Sequence, residues 1–95
     1  MSKPNVLAVD DTPANLMSLE AVLGDDYNVL RASSGPAAIA ILEHRRDIDV
    51  ILMDVHMPSM DGFETTSRIK KMSNCKDIPI ILVTAVYKED PYVRQ

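Results

Sequence analysis

Short apolar runs alternate along this sequence with segments of helical periodicity. The runs over residues 5–9, 50–53 and 80–83 are apolar at nearly every position instead of every second one, which is typical of strands covered on both faces. A further strand fits residues 27–32. Strands that alternate with helices favour a parallel sheet with helices on both faces. The sequence therefore predicts an α/β fold with a doubly wound parallel sheet.

Start and stop signals place three helices between these strands. The first is predicted over Pro13–Leu23, with Thr12 as its N-cap and proline in its first turn. The second begins after Ser34 and the third after Asp61, because both residues have side chains that cap helices. The predicted buried stripes are Leu16, Leu19, Val22 and Leu23 in the first helix, Ala38, Ile41 and Leu42 in the second, and Phe63, Ile69 and Met72 in the third.

The length of 95 residues predicts a single domain over residues 1–95. A sheet that ended with the strand at 80–83 would leave an apolar strand at its edge, and such edges pair with other chains. We therefore expect either that the polypeptide continues with another strand and helix, or that a partner chain fills the edge. The partner could be a homodimer mate or a domain-swapped copy.

Composition argues against several classes of protein. The net charge is −4 and the basic residues are scattered, so direct nucleic-acid binding is not expected. The apolar runs are far shorter than the roughly 20 residues that span a bilayer. The lone Cys75 cannot form an internal disulfide, and no secretory signal precedes the first strand. A cytoplasmic domain without membrane contact is predicted.

Polar side chains follow three of the predicted strands at the point where each strand ends. Asp10 and Asp11 follow the first strand, Asp54 follows the strand at 50–53, and Thr84 follows the last. In open parallel sheets, ligands bind beyond the carboxyl ends of the strands. If these strands are neighbours, the three acids and the hydroxyl lie in one pocket.

Three carboxylates in one pocket repel each other unless a cation neutralises them. An oxygen-only set of ligands suits Mg²⁺ better than zinc. With the ion bound, a phosphate donor can approach and a carboxylate can act as nucleophile, which gives an acyl phosphate. Asp54 is the predicted nucleophile because it stands alone, whereas Asp10 and Asp11 are adjacent and suited to binding the ion.

The order and spacing of these motifs resemble the receiver domain of two-component response regulators. The matching segments are Asp10-Asp11, residues 53–62 (Met-Asp-Val-His-Met-Pro-Ser-Met-Asp-Gly) and residues 83–85 (Val-Thr-Ala). The resemblance covers essentially the whole chain. It implies a flavodoxin-like receiver fold with strand order 2-1-3-4 and a fifth strand missing from this chain, so that the domain is incomplete at its C-terminal end.

The resemblance also implies residue roles and partners. Asp54 would accept a phosphoryl group from a histidine kinase or phosphotransfer domain. Asp10, Asp11, Asp54 and the backbone carbonyl of His56 would bind Mg²⁺, and Thr84 would be the switch hydroxyl. The chain would then be a signalling switch that assists its own phosphorylation and dephosphorylation without being a turnover enzyme. An output domain is expected on its C-terminal side.

One feature of the family has no counterpart here. Receiver domains carry a Lys, usually followed by Pro, at the end of the fifth strand, where it contacts the phosphoryl group. In this sequence Lys88 lies four residues after Thr84, in the segment expected to be a loop. A chain limited to these residues is expected to signal poorly, which favours a fragment of a receiver. A separate alternative function is a pseudo-receiver that acts as a protein-interaction module without phosphotransfer.

Other interpretations of the same residues are structural or enzymatic. Asp10 and Asp11 could be helix caps, Asp54 could form a turn, and Thr84 could be a hydrogen-bonded hydroxyl at a strand end. The side chain of His56 is expected to be solvated. An aspartate-nucleophile phosphatase would need a second acid two residues after the first, where this sequence has Thr12.

Overall fold

The computed structural model describes residues 3–58 and 60–83 of the chain. The elements in chain order are β1 Asn5–Val9, α1 Pro13–Leu23, β2 Asn28–Ala32, α2 Gly35–His44, β3 Val50–Asp54, α3 Gly62–Lys70 and β4 Ile80–Val83. The four strands form a parallel sheet in the order β2-β1-β3-β4. The predicted fold class and strand order are confirmed.

The main core lies between one face of the sheet and the pair α2 and α3, which also contact each other. Alternate strand residues point into it, as expected for a side-chain period of two. Leu7 and Ile51 are fully buried there against Leu42 of α2 and Ile69 of α3. Helix α1 contacts β1 and β2. None of the helices within the described ranges is long and apolar enough to cross a membrane.

The opposite face of the sheet carries an open apolar groove of about 310 Å³ between β4 and the end of α1. Leu52 of β3, Ile81 of β4 and Leu23 of α1 are among the side chains that line it. Ile81 is 53% exposed and Leu82, its neighbour in β4, is 40% exposed. Much of the apolar surface of β4 is therefore accessible in the described part of the chain.

Two residues of the predicted helical stripes are exposed, so those assignments were wrong. Val22 is 75% exposed in α1 and Phe63 is 60% exposed in α3. Each lies six positions from a buried apolar residue of its helix, Leu16 in α1 and Ile69 in α3. At 3.6 residues per turn, six positions rotate a side chain about 120° away from its starting direction. Met72 lies beyond the end of α3 and is half-buried.

A network of polar hydrogen bonds connects the strands at their amino ends, the end of the sheet opposite to Asp10 and Asp54. The backbone N–H of Asn5 donates to Asp49 Oδ2 at 2.7 Å, and its side chain donates to the carbonyl of Asp47 at 2.7 Å. The Asn28 amide donates to Asn5 Oδ1 at 3.1 Å. A hydrogen bond from Arg45 lowers the pKa of the exposed Asp47. These contacts fix the register of β1 and β2 where the strands begin.

Ser34 and Thr12 occupy the same N-cap position in two helices but make different contacts. Ser34 Oγ accepts a hydrogen bond from the backbone N–H of Ala37 at 3.1 Å, whereas the Thr12 side chain makes no cap bond. We expect Ser34→Ala to lower the free energy of unfolding by about 1 kcal/mol and Thr12→Ala to lower it by less. Urea unfolding followed by circular dichroism measures both variants. Equal losses would show that the Ser34 cap bond contributes nothing of its own.

Candidate functional site

The carboxyl ends of β1, β3 and β4 are held side by side by backbone pairing. Val9 pairs with Met53, and Asp54 pairs with Val83. The backbone N–H of Asp10 donates to the carbonyl of Ala32 at 3.1 Å, so β1 stays paired with β2 up to that acid. The residues just beyond β1 and at the end of β3 therefore face the same edge of the sheet. The predicted boundary of β3 shifts by one residue, because Asp54 is the last residue of the strand.

Three carboxylates converge at this edge. One oxygen each of Asp10, Asp11 and Asp54 lies within 4.8 Å of the others. Asp10 and Asp54 are buried, with 4% and 2% of their surface exposed, whereas Asp11 is exposed. Bringing three like charges this close is unfavourable unless a cation or a proton compensates them. An oxygen-only pocket with two buried acids has the donor chemistry that a hard divalent cation prefers.

The first turn of α1 holds the carboxylate of Asp10. The backbone N–H of Thr12 donates to Asp10 Oδ1 at 2.9 Å. The side-chain amide of Asn15 donates to Oδ2 at 3.2 Å and to Oδ1 at 3.4 Å. Sequence reasoning missed Asn15. The available signal was its position in the first turn of a helix that begins two residues after Asp11.

The loop after β3 presents Asp54 and turns the chain into α3. The backbone N–H of His56 donates to Asp54 Oδ1 at 3.3 Å, and the His56 side chain is exposed, as predicted. The backbone N–H of Gly62 donates to the carbonyl of Val55 at 3.0 Å. Asp61 caps α3 as predicted, since its Oδ1 accepts from the Glu64 N–H at 2.8 Å.

Gly62 leaves no room for a side chain. A Cβ atom there would overlap the carbonyl oxygen of Asp54 and lie 2.8 Å from the Cα atom of Val55. Both obstacles are backbone atoms, so rotating a side chain cannot relieve the overlap. The start of α3 thus rests directly against the strand end that carries the buried acid.

Two residues considered in the sequence analysis lie outside the described residues. Thr84 follows Val83, the last described position, and Lys88 lies further along. The proposed hydroxyl role of Thr84 therefore stays a prediction. Val83, which directly precedes Thr84 in the sequence, pairs with Asp54 between β4 and β3.

The fold and site define a doubly wound α/β domain with an acidic ligand pocket at the carboxyl edge of its sheet. Residues 6–95 match the family model described as the response regulator receiver domain. The chain belongs to this family. It is therefore a receiver domain of two-component signal transduction, the class of domain that works as a phosphorylation-based switch.

Curated relatives and solved structures agree with this membership. The chain is 43% identical over 83 residues to the response regulator PleD of Caulobacter vibrioides, covering 85% of this chain but 18% of PleD. It is 35% identical to the protein PilH of Pseudomonas aeruginosa, covering 88% of this chain and 69% of PilH. The chain thus spans a small part of PleD and about two thirds of PilH.

Two solved structures share the fold closely. The chemotaxis protein CheY4 of Vibrio cholerae has a TM-score of 0.83 and 35% identity, over 99% of this chain and 77% of that one. The receiver domain of the sensor histidine kinase PA1611 of Pseudomonas aeruginosa has a TM-score of 0.83 and 32% identity, over 97% of this chain and 75% of that one. That structure has a magnesium ion coordinated in its active site cleft.

Proposed function

We propose that this domain switches by accepting a phosphoryl group on Asp54, with Mg²⁺ bound by Asp10, Asp11, Asp54 and the backbone carbonyl of His56. The observation that carries the proposal is the convergence of three carboxylate oxygens within 4.8 Å at the carboxyl edge of the sheet. Family membership and the magnesium ion in the related PA1611 receiver support the same assignment.

The donor set fits Mg²⁺ on chemical grounds. Among the described residues, the three clustered side chains that could bind a metal ion are all carboxylates, and Mg²⁺ binds through one or two carboxylates together with water and phosphate oxygens. When bound, the ion would neutralise the pocket and orient a phosphoryl oxygen. The exposure of Asp11 leaves this side of the pocket open to a phosphate donor.

Asp54 and Asp10 are suited to different tasks. Asp10 accepts hydrogen bonds from Thr12 and Asn15, which fix the orientation of its carboxylate as a metal ligand. Asp54 is itself the last residue of the inner strand β3 and pairs with Val83 of β4, whereas Asp10 follows the end of β1. A nucleophile must be held close to the reacting atom, and this position provides that rigidity.

The proposed step is a phosphoryl transfer. A carboxylate oxygen of Asp54 forms a bond to phosphorus while the phosphorus–nitrogen bond of a phosphohistidine breaks. The departing imidazole nitrogen keeps the electron pair of that bond. The backbone N–H of His56, 3.3 Å from Asp54 Oδ1, restrains the carboxylate during the transfer. Thr84, which directly follows β4, is proposed as the hydroxyl that donates to the transferred group.

The proposed partners follow from the family. A histidine kinase or phosphotransfer domain would supply the phosphoryl group, and a linked output domain would respond to it. The family relatives include a sensor protein, GacS of Pseudomonas syringae, and a response regulator, PleD. We further propose that residues 1–95 belong to one domain. The exposed β4 residues Ile81 and Leu82 are proposed as a surface for a second copy of the chain.

The proposal is tested by incubating the chain with acetyl phosphate and Mg²⁺ and recording its intact mass. We expect a gain of one phosphoryl group that EDTA prevents. Borohydride reduction converts an aspartyl phosphate to homoserine, and peptide mass spectrometry should place that homoserine at position 54. The metal dependence follows from the need to neutralise the three acids.

Three results would contradict the proposal. A chain that binds Mg²⁺ but gains no mass would be a pseudo-receiver that acts through protein contacts alone. A homoserine at position 10 or 11 would mean that the acceptor is misassigned. Repeated hydrolysis of a phosphomonoester by the chain would instead indicate an aspartate-nucleophile phosphatase.

A further inference from the structure

The side-chain amide of Asn15 contacts both carboxylate oxygens of Asp10, one of the three clustered acids. Its side-chain nitrogen is 3.2 Å from Asp10 Oδ2 and 3.4 Å from Asp10 Oδ1. The residue is half-buried in the first turn of α1, and its backbone N–H donates to the carbonyl of Thr12 at 3.0 Å. The helix start therefore fixes the backbone position from which the amide reaches Asp10.

The charge of Asp10 determines which end of the Asn15 amide faces it. An ionised carboxylate can only accept hydrogen bonds, so the amide presents its NH₂ group to Asp10 and not its oxygen. Together with the Thr12 N–H at 2.9 Å, the amide gives Asp10 donors on both of its oxygens. These contacts hold the plane of the carboxylate relative to β1 and α1.

A second amide in the chain shows what a purely structural asparagine does. Asn28 donates to the carbonyl of Lys3 at 3.3 Å and to Asn5 Oδ1 at 3.1 Å, at the amino end of the sheet. Its partners are a backbone carbonyl and another amide. Asn15 instead donates to Asp10, a buried carboxylate that belongs to the acidic cluster.

We propose that Asn15 is a positioning residue that orients Asp10 for a divalent cation. The proposal rests on the metal site described above. Partners that hydrogen-bond to a metal-binding carboxylate set its orientation, and losing one lowers metal affinity about 10–100-fold. Asn15 acts through Asp10, so the rate of phosphoryl uptake recovers when Mg²⁺ saturates the site.

The test compares Asn15→Leu, which keeps the size of the side chain but removes its donor, with the matched control Asn28→Ala. Calorimetric titration with MgCl₂ should show a dissociation constant about 10–100-fold higher for Asn15→Leu and unchanged for Asn28→Ala. Uptake of phosphate from acetyl phosphate should need correspondingly more Mg²⁺ but reach a similar maximal rate. Asn15→Gln, which retains an amide donor, should recover part of the affinity.

The possible failures are separable. Wild-type affinity in Asn15→Leu would overturn the positioning role while leaving the proposed function intact. An equal loss of affinity in Asn15→Leu and Asn15→Gln, with lower metal-free stability in both, would make Asn15 a structural residue. If the wild-type chain itself binds no Mg²⁺, the metal site and the role of Asn15 fail together.

Discussion

Replacing Asp54 with Asn is expected to abolish phosphoryl uptake while leaving the fold intact. The substitution exchanges one carboxylate oxygen for an amide nitrogen and keeps the size of the side chain. The His56 N–H, which donates to Asp54 Oδ1 at 3.3 Å, can still donate to the amide oxygen. What disappears is the anionic nucleophile, and removing a nucleophile costs several orders of magnitude in rate.

The metal-free stability of this variant provides a second readout. Asp54 is 2% exposed and lies with Asp10 and Asp11 in a cluster of like charges. Removing one charge relieves repulsion, so we expect the Asp54→Asn variant to unfold at the same or a higher urea concentration than wild type in EDTA. Mg²⁺ should stabilise the variant less than wild type, because the stabilisation by a ligand grows with the logarithm of its concentration divided by Kd, and losing a ligand charge raises Kd.

Intact mass after incubation with acetyl phosphate and Mg²⁺ measures the loss of uptake. Asp25→Asn is the matched control, since Asp25 is an exposed acid in the turn between α1 and β2. The control should gain one phosphoryl group as wild type does. If the Asp54→Asn variant gains the group at the wild-type rate, a different residue is the acceptor.

The acidic cluster could be predicted from sequence because it depends on where strands end and on which strands are neighbours. Parallel strands bring their carboxyl ends to one edge, so Asp10 and Asp54 lie together even though they are distant in the chain. The strand order came from resemblance to the family, because apolar runs alone do not determine which strands are neighbours. The pairing of Val9 with Met53 and of Asp54 with Val83 agrees with that order.

Contacts that depend on three-dimensional detail could not be predicted in the same way. The direction of the Asn15 side chain depends on the rotamer that it adopts in the first turn of α1. The exposure of Val22 and Phe63 depends on helix phase, since a 120° rotation separates a buried position from a solvent-facing one. The close approach between Gly62 and the backbone of Asp54, which leaves no space for a Cβ atom, appears only in coordinates.

Because of that close approach, we expect Gly62→Ala at the start of α3 to be strongly disruptive for such a small substitution. The added Cβ would overlap the Asp54 carbonyl oxygen and lie 2.8 Å from Val55 Cα, so either α3 or the end of β3 must move. Overpacking of this kind costs about 1–3 kcal/mol, a large share of the roughly 5–15 kcal/mol that stabilises a typical domain. Displacing a reacting group by about 1 Å can lower its rate about 100-fold.

The two consequences of Gly62→Ala are measured separately. Urea unfolding gives the loss of stability, and phosphoryl uptake is measured at a temperature where circular dichroism shows the variant to be folded. The matched control is Phe63→Ala, which changes the same turn of α3 at a position that is 60% exposed; it should alter neither quantity much. Because the Cβ overlap involves Asp54 directly, uptake in folded Gly62→Ala should fall further than stability alone explains. Wild-type stability together with wild-type uptake would show that the strand end tolerates the shift and that the acid is positioned by other contacts.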